Sequence, residues 1–326
     1  MSAYRNIPAF VRTYRDGCLV DSDASGGVPI TSRGVELGEG AFATLRGYRG
    51  RCFRPAAHIR ILEEGAAMFG LRLGFDTAGL SRLADEAARS VAPVPAHGHG
   101  LSGSDAYVRI TVTSAASDVE STRERECECE SLVAVVARPL SVPSADDYQH
   151  GIRAAVATQR RVPRACVSDP NVKTTSYALP VLARREAQRQ GAAEAIMLCT
   201  EGSLACGAMS NLFLIAGHTL FTPPTSTGCR AGITRDAVCE IASDAGFEVR
   251  TEPLDPGMLF DADEVFLTNT RIECLPVAHV LPLRSDAYRP TKAARLGLPF
   301  AGTERIRCAL RNLIDRETRD GAPVES

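Results

Sequence analysis

The chain has 326 residues, enough for two domains or one large one. Its 44% hydrophobic and 23% charged content is ordinary for a soluble globular protein, and a net charge of −2 argues against nucleic acid or an anionic membrane surface as a main partner. There is no run of about 18 uncharged apolar residues and no apolar signal core after Met1-Ser2-Ala3-Tyr4-Arg5-Asn6, so the cytoplasm is the expected compartment.

The predicted elements begin with an alternating strand over 41–47. A turn at Gly50-Arg51-Cys52-Phe53-Arg54-Pro55 leads into a helix with Ile59, Leu62, Ala66 and Phe69 on one face. A second amphipathic helix over 76–91 carries Leu80, Leu83, Ala87 and Val91. A Pro/Gly/His connector over 93–103 precedes strands at 106–113 and 132–140, with a charged hairpin or loop at 123–130 between them. Residues 139–150, with Pro143 and Asp146-Asp147, read as a linker, which divides the chain into 1–145 and 146–326.

The second part opens with a strand at 152–158, then a helix over 176–190 stopped by Gly191. A strand at 195–199, a turn at Glu201-Gly202 and two further strands ending at Thr222-Pro223-Pro224 follow. A helix over 234–245 ends at Gly246, strands occupy 247–252 and 264–268, and an amphipathic helix over 305–316 closes the chain. The mixed order favours an α+β fold over a doubly wound sheet.

Of the 37 basic residues, 35 are arginine. The two lysines are Lys173 and Lys292, and arginine cannot readily lose its proton to become a nucleophilic amine. Lys173 is therefore a candidate for amine chemistry, while Lys292, in Arg289-Pro290-Thr291-Lys292, reads as a solvated loop residue. The 11 cysteines are odd in number and scattered. Cys127 and Cys129 form the closest pair, without the partners that a metal site needs, so no metal is expected.

Several segments, taken in order, resemble the fold-type IV pyridoxal-phosphate enzymes, the class IV aminotransferase family. That family includes branched-chain and D-amino-acid aminotransferases and aminodeoxychorismate lyase. The segments are Arg33-Gly34-Val35-Glu36-Leu37-Gly38-Glu39-Gly40-Ala41-Phe42, the helix with His58, residues 173–186, Gly191-Ala192-Ala193-Glu194-Ala195-Ile196 with Ser210-Asn211-Leu212-Phe213, Ala231-Gly232-Ile233-Thr234-Arg235-Asp236, and 262–270 followed by Leu275-Pro276-Val277.

The resemblance implies a small N-terminal domain, a larger C-terminal domain carrying the Schiff-base lysine, a homodimer, and an active site between the domains. It gives Lys173 the roles of cofactor imine and proton shuttle. Tyr177 becomes the contact to the cofactor's phenolic oxygen, Gly232, Ile233, Thr234 and Thr270 the phosphate site, and Cys206 the neighbour of the ring nitrogen. Phe42, Tyr107 and Arg109 face an amino-acid or keto-acid substrate; strand alternation places Tyr107 and Arg109 on one face, where Arg109 suits a carboxylate.

Two positions depart from the family pattern. Ile61 stands where an arginine normally binds the phosphate, and Arg60 is displaced about 100° round the helix. Cys206 stands where most members have a glutamate that keeps the ring nitrogen protonated and the ring a strong electron sink. Three readings follow: transamination of a small or specialised amino acid, a lyase of the aminodeoxychorismate type, or a divergent member that has abandoned pyridoxal phosphate and uses Lys173 alone or is non-catalytic.

Overall fold

The structure is a computed structural model describing residues 10–15, 17–20, 28–92, 101–115, 131–163, 172–282, 294–295 and 299–319. Packing divides the chain into two units. One comprises Met1–Ser141, Val172–Tyr177 and Arg316–Ser326; the other comprises Val142–Asn171 and Ala178–Asp315. Lys173 thus packs with the first unit, whereas a single division at 145 puts it in the second. The cause is local: the backbone of 173–175 pairs with a strand of the first unit.

That unit contains β1 (Phe10–Arg15), β2 (Cys18–Val20), α1 (Arg33–Glu36), β3 (Gly40–Tyr48), β4 (Arg51–Cys52), α2 (Pro55–Met68), α3 (Thr77–Arg89), β5 (Leu101–Ser114) and β6 (Ser131–Ser141). The strands form an antiparallel sheet in the order β2-β1-β6-β5-β3-β4. Alternation decides its faces. Ala41, Ala43 and Leu45 of β3, Val108, Ile110 and Val112 of β5, and Val133, Val135 and Ala137 of β6 share a core with Ile59, Leu62, Ala66, Leu80, Leu83, Ala84 and Ala87 of α2 and α3. Fully buried Ile59, Leu62 and Leu80 each contribute roughly 1.5–3 kcal/mol of transfer free energy.

Helix α2 starts with Pro55 at its first turn, and α3 is capped by Asp76, whose carboxylate accepts the Gly79 amide at 2.6 Å. The predicted stripes of both helices are present, with Phe69 just past the end of α2. The alternation of the opposite sheet face leaves Phe42, Thr44, Tyr107, Arg109 and Thr111 away from the helices.

The second unit contains α4 (Ala145–His150), β7 (Ile152–Arg161), α5 (Ala178–Arg189), β8 (Glu194–Cys199), β9 (Leu204–Gly207), β10 (Asn211–Ala216), β11 (Thr219–Thr222), α6 (Ile233–Ile241), β12 (Glu248–Thr251), α7 (Met258–Asp261), β13 (Glu264–Asn269), β14 (Glu273–Leu281), β15 (Ala294–Arg295) and α8, which begins here and runs Ala301–Glu317. The sheet order is β12-β11-β10-β13-β14-β7-β8-β9, with β15 on β14. β7 is parallel to both β14 and β8. α5 follows β7 and lays Ala183 and Ala187 on Ala155, Ala157, Ala195 and Met197, a small-residue contact that lets helix and sheet approach closely. β8 is buried along its whole length, and β10 and β13 are nearly so, which is why these strands read as continuous apolar runs.

Several expectations are corrected. The segment 139–150 does contain the change of unit, between Ser141 and Val142, but most of it is regular structure: 139–141 ends β6, and Ser144 and Asp147 form a reciprocal capping box that starts α4. Three strands, not two, lie between Gly202 and Pro223. β14 escaped prediction because Pro276, which pairs with Phe266, interrupts its pattern. Arg33–Glu36 is a helical turn before β3 begins. Residues 101–103 belong to β5 rather than to the connector. Residues 93–100, the charged segment with Cys127 and Cys129, Cys166, and Lys292 lie outside the described residues.

The start of α8 depends on a distant carboxylate. Buried Glu264 accepts the Gly302 amide at 2.7 Å, the Thr303 amide at 2.8 Å and the Thr303 hydroxyl at 2.7 Å, satisfying donors that the helix itself cannot. Glu264→Ala is expected to cost about 2–3 kcal/mol of stability, read as a lower urea midpoint. An unchanged midpoint would show that water replaces the cap at no cost.

Candidate functional site

In the first unit, Lys173 is placed by its backbone. The Phe42 amide donates to Lys173 O at 2.8 Å, the Thr175 amide donates to Gly40 O at 2.8 Å, and Thr174 bridges Ala41 in antiparallel sense. The Thr175 hydroxyl donates to Gly38 O at 2.9 Å. Residues 173–175 therefore act as a short extra strand beside the start of β3, opposite the edge that Thr111, Val112 and Thr113 occupy.

Phe42 is the centre of this group. Lys173 Nζ lies 5.8 Å from its ring centroid, Arg109 Cζ lies 3.7 Å from it, and Tyr177 meets it edge to face at 5.3 Å and 72°. Arg109 is further oriented by donating from Nε to Thr111 Oγ1 at 3.0 Å. Tyr107, two residues before Arg109, has Arg138 over its ring at 4.5 Å. The structure thus brings together Phe42, Arg109, Lys173 and Tyr177 directly, with Tyr107 on the same strand face. Each of the two cations is attracted to the quadrupole of the Phe42 ring.

His58, seen in the sequence only as part of the family's first helix, is a further member. It is buried, and desolvation followed by the charge of Lys173 lowers its pKa to about 3. It is therefore neutral near neutral pH. On the same helix, Arg60 is exposed and Ile61 half-buried, so α2 turns its one arginine to the surface.

In the second unit, Gly232 is the N-cap of α6 and has no side chain with which to cap it. A Cβ at Gly232 would come within 2.2 Å of Asn211 Oδ1, so the close approach requires glycine. Asn211 in turn donates from Nδ2 to Arg230 O at 2.7 Å, fixing the turn into the helix. The first-turn amides of Ile233 and Thr234 have no intrahelical acceptors, and Thr234 is buried beside them.

Asn211 pairs with Thr268, and Asn269 shapes the next turn by accepting the Arg271 and Ile272 amides at 2.8 and 3.1 Å, which holds Thr270 between them. The hydroxyls of Ser210 and Thr268 are buried without a hydrogen-bond partner. Uncapped amides, a glycine cradle and spare hydroxyls suit a phosphate group.

Cys206, opposite Met197 in β9, is buried with Cys199, Ala205 and Cys229. Arg161 at the end of β7 donates from Nε to Cys206 Sγ at 3.3 Å. Cys229 donates to Pro224 O at 3.3 Å, and its pKa rises to about 11, chiefly through burial and then through Cys206. Arg161 was not anticipated, because nothing in the run Gln159-Arg160-Arg161-Val162 separates it from the other arginines. Among the described residues, no group of three His, Cys, Asp or Glu side chains could hold a metal ion. Each unit by itself holds groups of the kind that pyridoxal phosphate takes: a lysine amine in the first, and a phosphate-type cradle and the polar pair at Cys206 in the second.

Residues 40–280 match the family model for amino-transferase class IV. The chain belongs to the class IV aminotransferase family. A Methanocaldococcus jannaschii protein, provisionally named a branched-chain-amino-acid aminotransferase, is 31% identical over 83% of this chain and 88% of its own. The D-alanine aminotransferase of Bacillus licheniformis is 26% identical over 93% of this chain and 95% of its own. Among solved structures, the Escherichia coli branched-chain amino acid aminotransferase superposes with a TM-score of 0.75 at 27% identity, over 95% of this chain and 96% of that one. The α+β architecture of two sheets is therefore that of the branched-chain aminotransferases, and the family is one of pyridoxal-phosphate enzymes.

Neutral burial of His58 has a pH signature. Its folded pKa of about 3 lies below an unfolded value of about 6.5, so the unfolded chain takes the proton first. The stability associated with neutral His58 is complete above about pH 6.5 and is lost as pH falls toward 3. Between about pH 7 and about pH 5 the wild type should lose about 2 kcal/mol more than His58→Gln in urea titrations. Equal losses would mean that His58 takes up its proton in the folded state.

Proposed function

We propose that this protein is a pyridoxal-phosphate-dependent aminotransferase acting on a small or specialised amino acid, working in the cytoplasm as a homodimer. The observation that carries the proposal is the placement of Lys173. Its backbone is fixed beside β3, and its amine reaches the group formed by Phe42, Tyr177 and Arg109.

When bound, pyridoxal phosphate supplies an aldehyde that captures amines and a ring that draws electrons from the substrate's Cα. Lys173 supplies the amine that holds the cofactor and afterwards moves the proton at Cα. Tyr177, set by its edge-to-face contact with Phe42, presents a hydroxyl for the phenolic oxygen.

Ile233 and Thr234 offer their amides, and Thr234 and Thr270 their hydroxyls, to the phosphate at the Gly232 turn. Arg109, oriented by Thr111, receives the substrate carboxylate; Tyr107 and Phe42 line the same face. The likeness to branched-chain and D-alanine aminotransferases supports a modest apolar substrate without fixing its hand.

Cys206 with Arg161 favours a second reading, a lyase that splits a carbon bond of its substrate, because a weaker electron sink suffices where a good leaving group departs. Single-turnover incubation of the reconstituted protein with a panel of L- and D-amino acids separates the two. Transamination predicts one keto acid released per subunit, with the rate lowered about 10²–10⁴-fold in Lys173→Ala. Cleavage products with no amino group transferred would support the lyase. Keto acid formed equally well by Lys173→Ala would overturn both.

A further inference from the structure

We infer that Arg161 and Cys206 together keep the cofactor's ring nitrogen free of a proton, with Cys206 as its hydrogen-bond donor and Arg161 as the positioning residue behind it. The inference rests on the proposed pyridoxal-phosphate reading and concerns how this chain treats one atom of that group.

Arg161 Nε–H donates to Cys206 Sγ at 3.3 Å, which occupies the acceptor side of the sulfur. A thiol whose sulfur already accepts from a guanidinium has its own S–H left to donate. A pyridine nitrogen with a free lone pair can accept that S–H; a protonated one cannot.

The charges point the same way. The guanidinium of Arg161 is a permanent cation. A second positive charge on a ring nitrogen beside it would be repelled in a buried setting, where Cys206 is only 2% exposed. Among the described residues, Cys206 is buried with Cys199 of β8, Ala205, and Cys229 from the segment before α6, and receives the hydrogen bond of Arg161 from β7; Arg235 of α6 acts on Cys229. Cys229 is held neutral at physiological pH by its burial.

Local backbone fixes this arrangement. Gly228 has φ 82°, and a Cβ there would fall 2.1 Å from Val162 O, so the segment leading to Cys229 lies directly on the end of β7. The Thr200 amide donates to Arg161 O at 2.9 Å, anchoring the arginine's backbone on the same side. Arg161 is therefore built into the cluster by neighbours on two segments.

The test is the ¹⁵N NMR signal of ring-¹⁵N-labelled pyridoxal phosphate bound to the intact protein, followed with pH. The wild type should give the position of an unprotonated pyridine at neutral pH. Cys206→Glu should move it far upfield to the pyridinium position, and Cys206→Ser, a neutral donor, should leave it in place. Arg161→Met should protonate at higher pH than the wild type, whereas Arg161→Lys, which keeps the charge, should stay close to it. A pyridinium signal in the wild type, or identical titrations for wild type and Arg161→Met, would overturn the inference, since a merely structural arginine would not move this signal. Failure of the parent reading looks different: no protein-bound ¹⁵N signal at saturating cofactor, or one that is unaltered in Lys173→Ala, would remove the cofactor assignment and this inference with it.

Discussion

Two backbone hydrogen bonds, from Phe42 N–H to Lys173 O and from Thr175 N–H to Gly40 O, join a three-residue segment to a strand more than a hundred residues earlier in the chain. Their position does more than close a loop. On its other edge that stretch of β3 is paired with β5, which carries Tyr107, Arg109 and Thr111. One strand therefore sets the register of the rare lysine on one side and of the proposed carboxylate-binding arginine on the other. A one-residue slip would send each side chain to the opposite face, into the α2–α3 core.

The core on the far side of the sheet protects that register. Small and β-branched residues of β3, β5 and β6 lie against α2 and α3, and a flipped Phe42 or Arg109 would have to enter that space. Phe42 thus serves two ends. Its ring is the common neighbour of Arg109, Lys173 and Tyr177, and its orientation reports that the sheet is in register. The second unit achieves similar precision by different means. Asn211 and Asn269, rather than a packed core, shape the turns around Gly232 and Thr270 through backbone hydrogen bonds.

Much of this was legible in the sequence because it rests on local signals. Helices α2 and α3 show their apolar stripes, Asp76 and Gly191 mark ends, and the lysine count narrows the amine candidates to Lys173 and Lys292. The family resemblance proposes Gly232, Thr234, Thr270 and Tyr177 by motif. What stayed hidden depends on partners distant in sequence. β14 contains Pro276; α4 sits in a stretch whose Pro and Asp residues mimic a linker; and the grouping of Lys173 with the first unit follows from pairing with β3, which no local pattern announces. Arg161 was one arginine among 35 until its bond to Cys206 was seen. His58 shows the same limit, since its depressed pKa comes from burial and from the charge of Lys173.

The central claim is that, of two lysines, the one pinned to β3 carries the cofactor, and the scarcity of lysine makes a direct measurement decisive. Treating the cofactor-loaded protein with borohydride and mapping the pyridoxyl group by peptide mass spectrometry reads the attachment site without reference to any substrate. The account predicts a single modified peptide, labelled at Lys173, with Lys292 unmodified. Label on Lys292, or no label after saturation with pyridoxal phosphate, would contradict it.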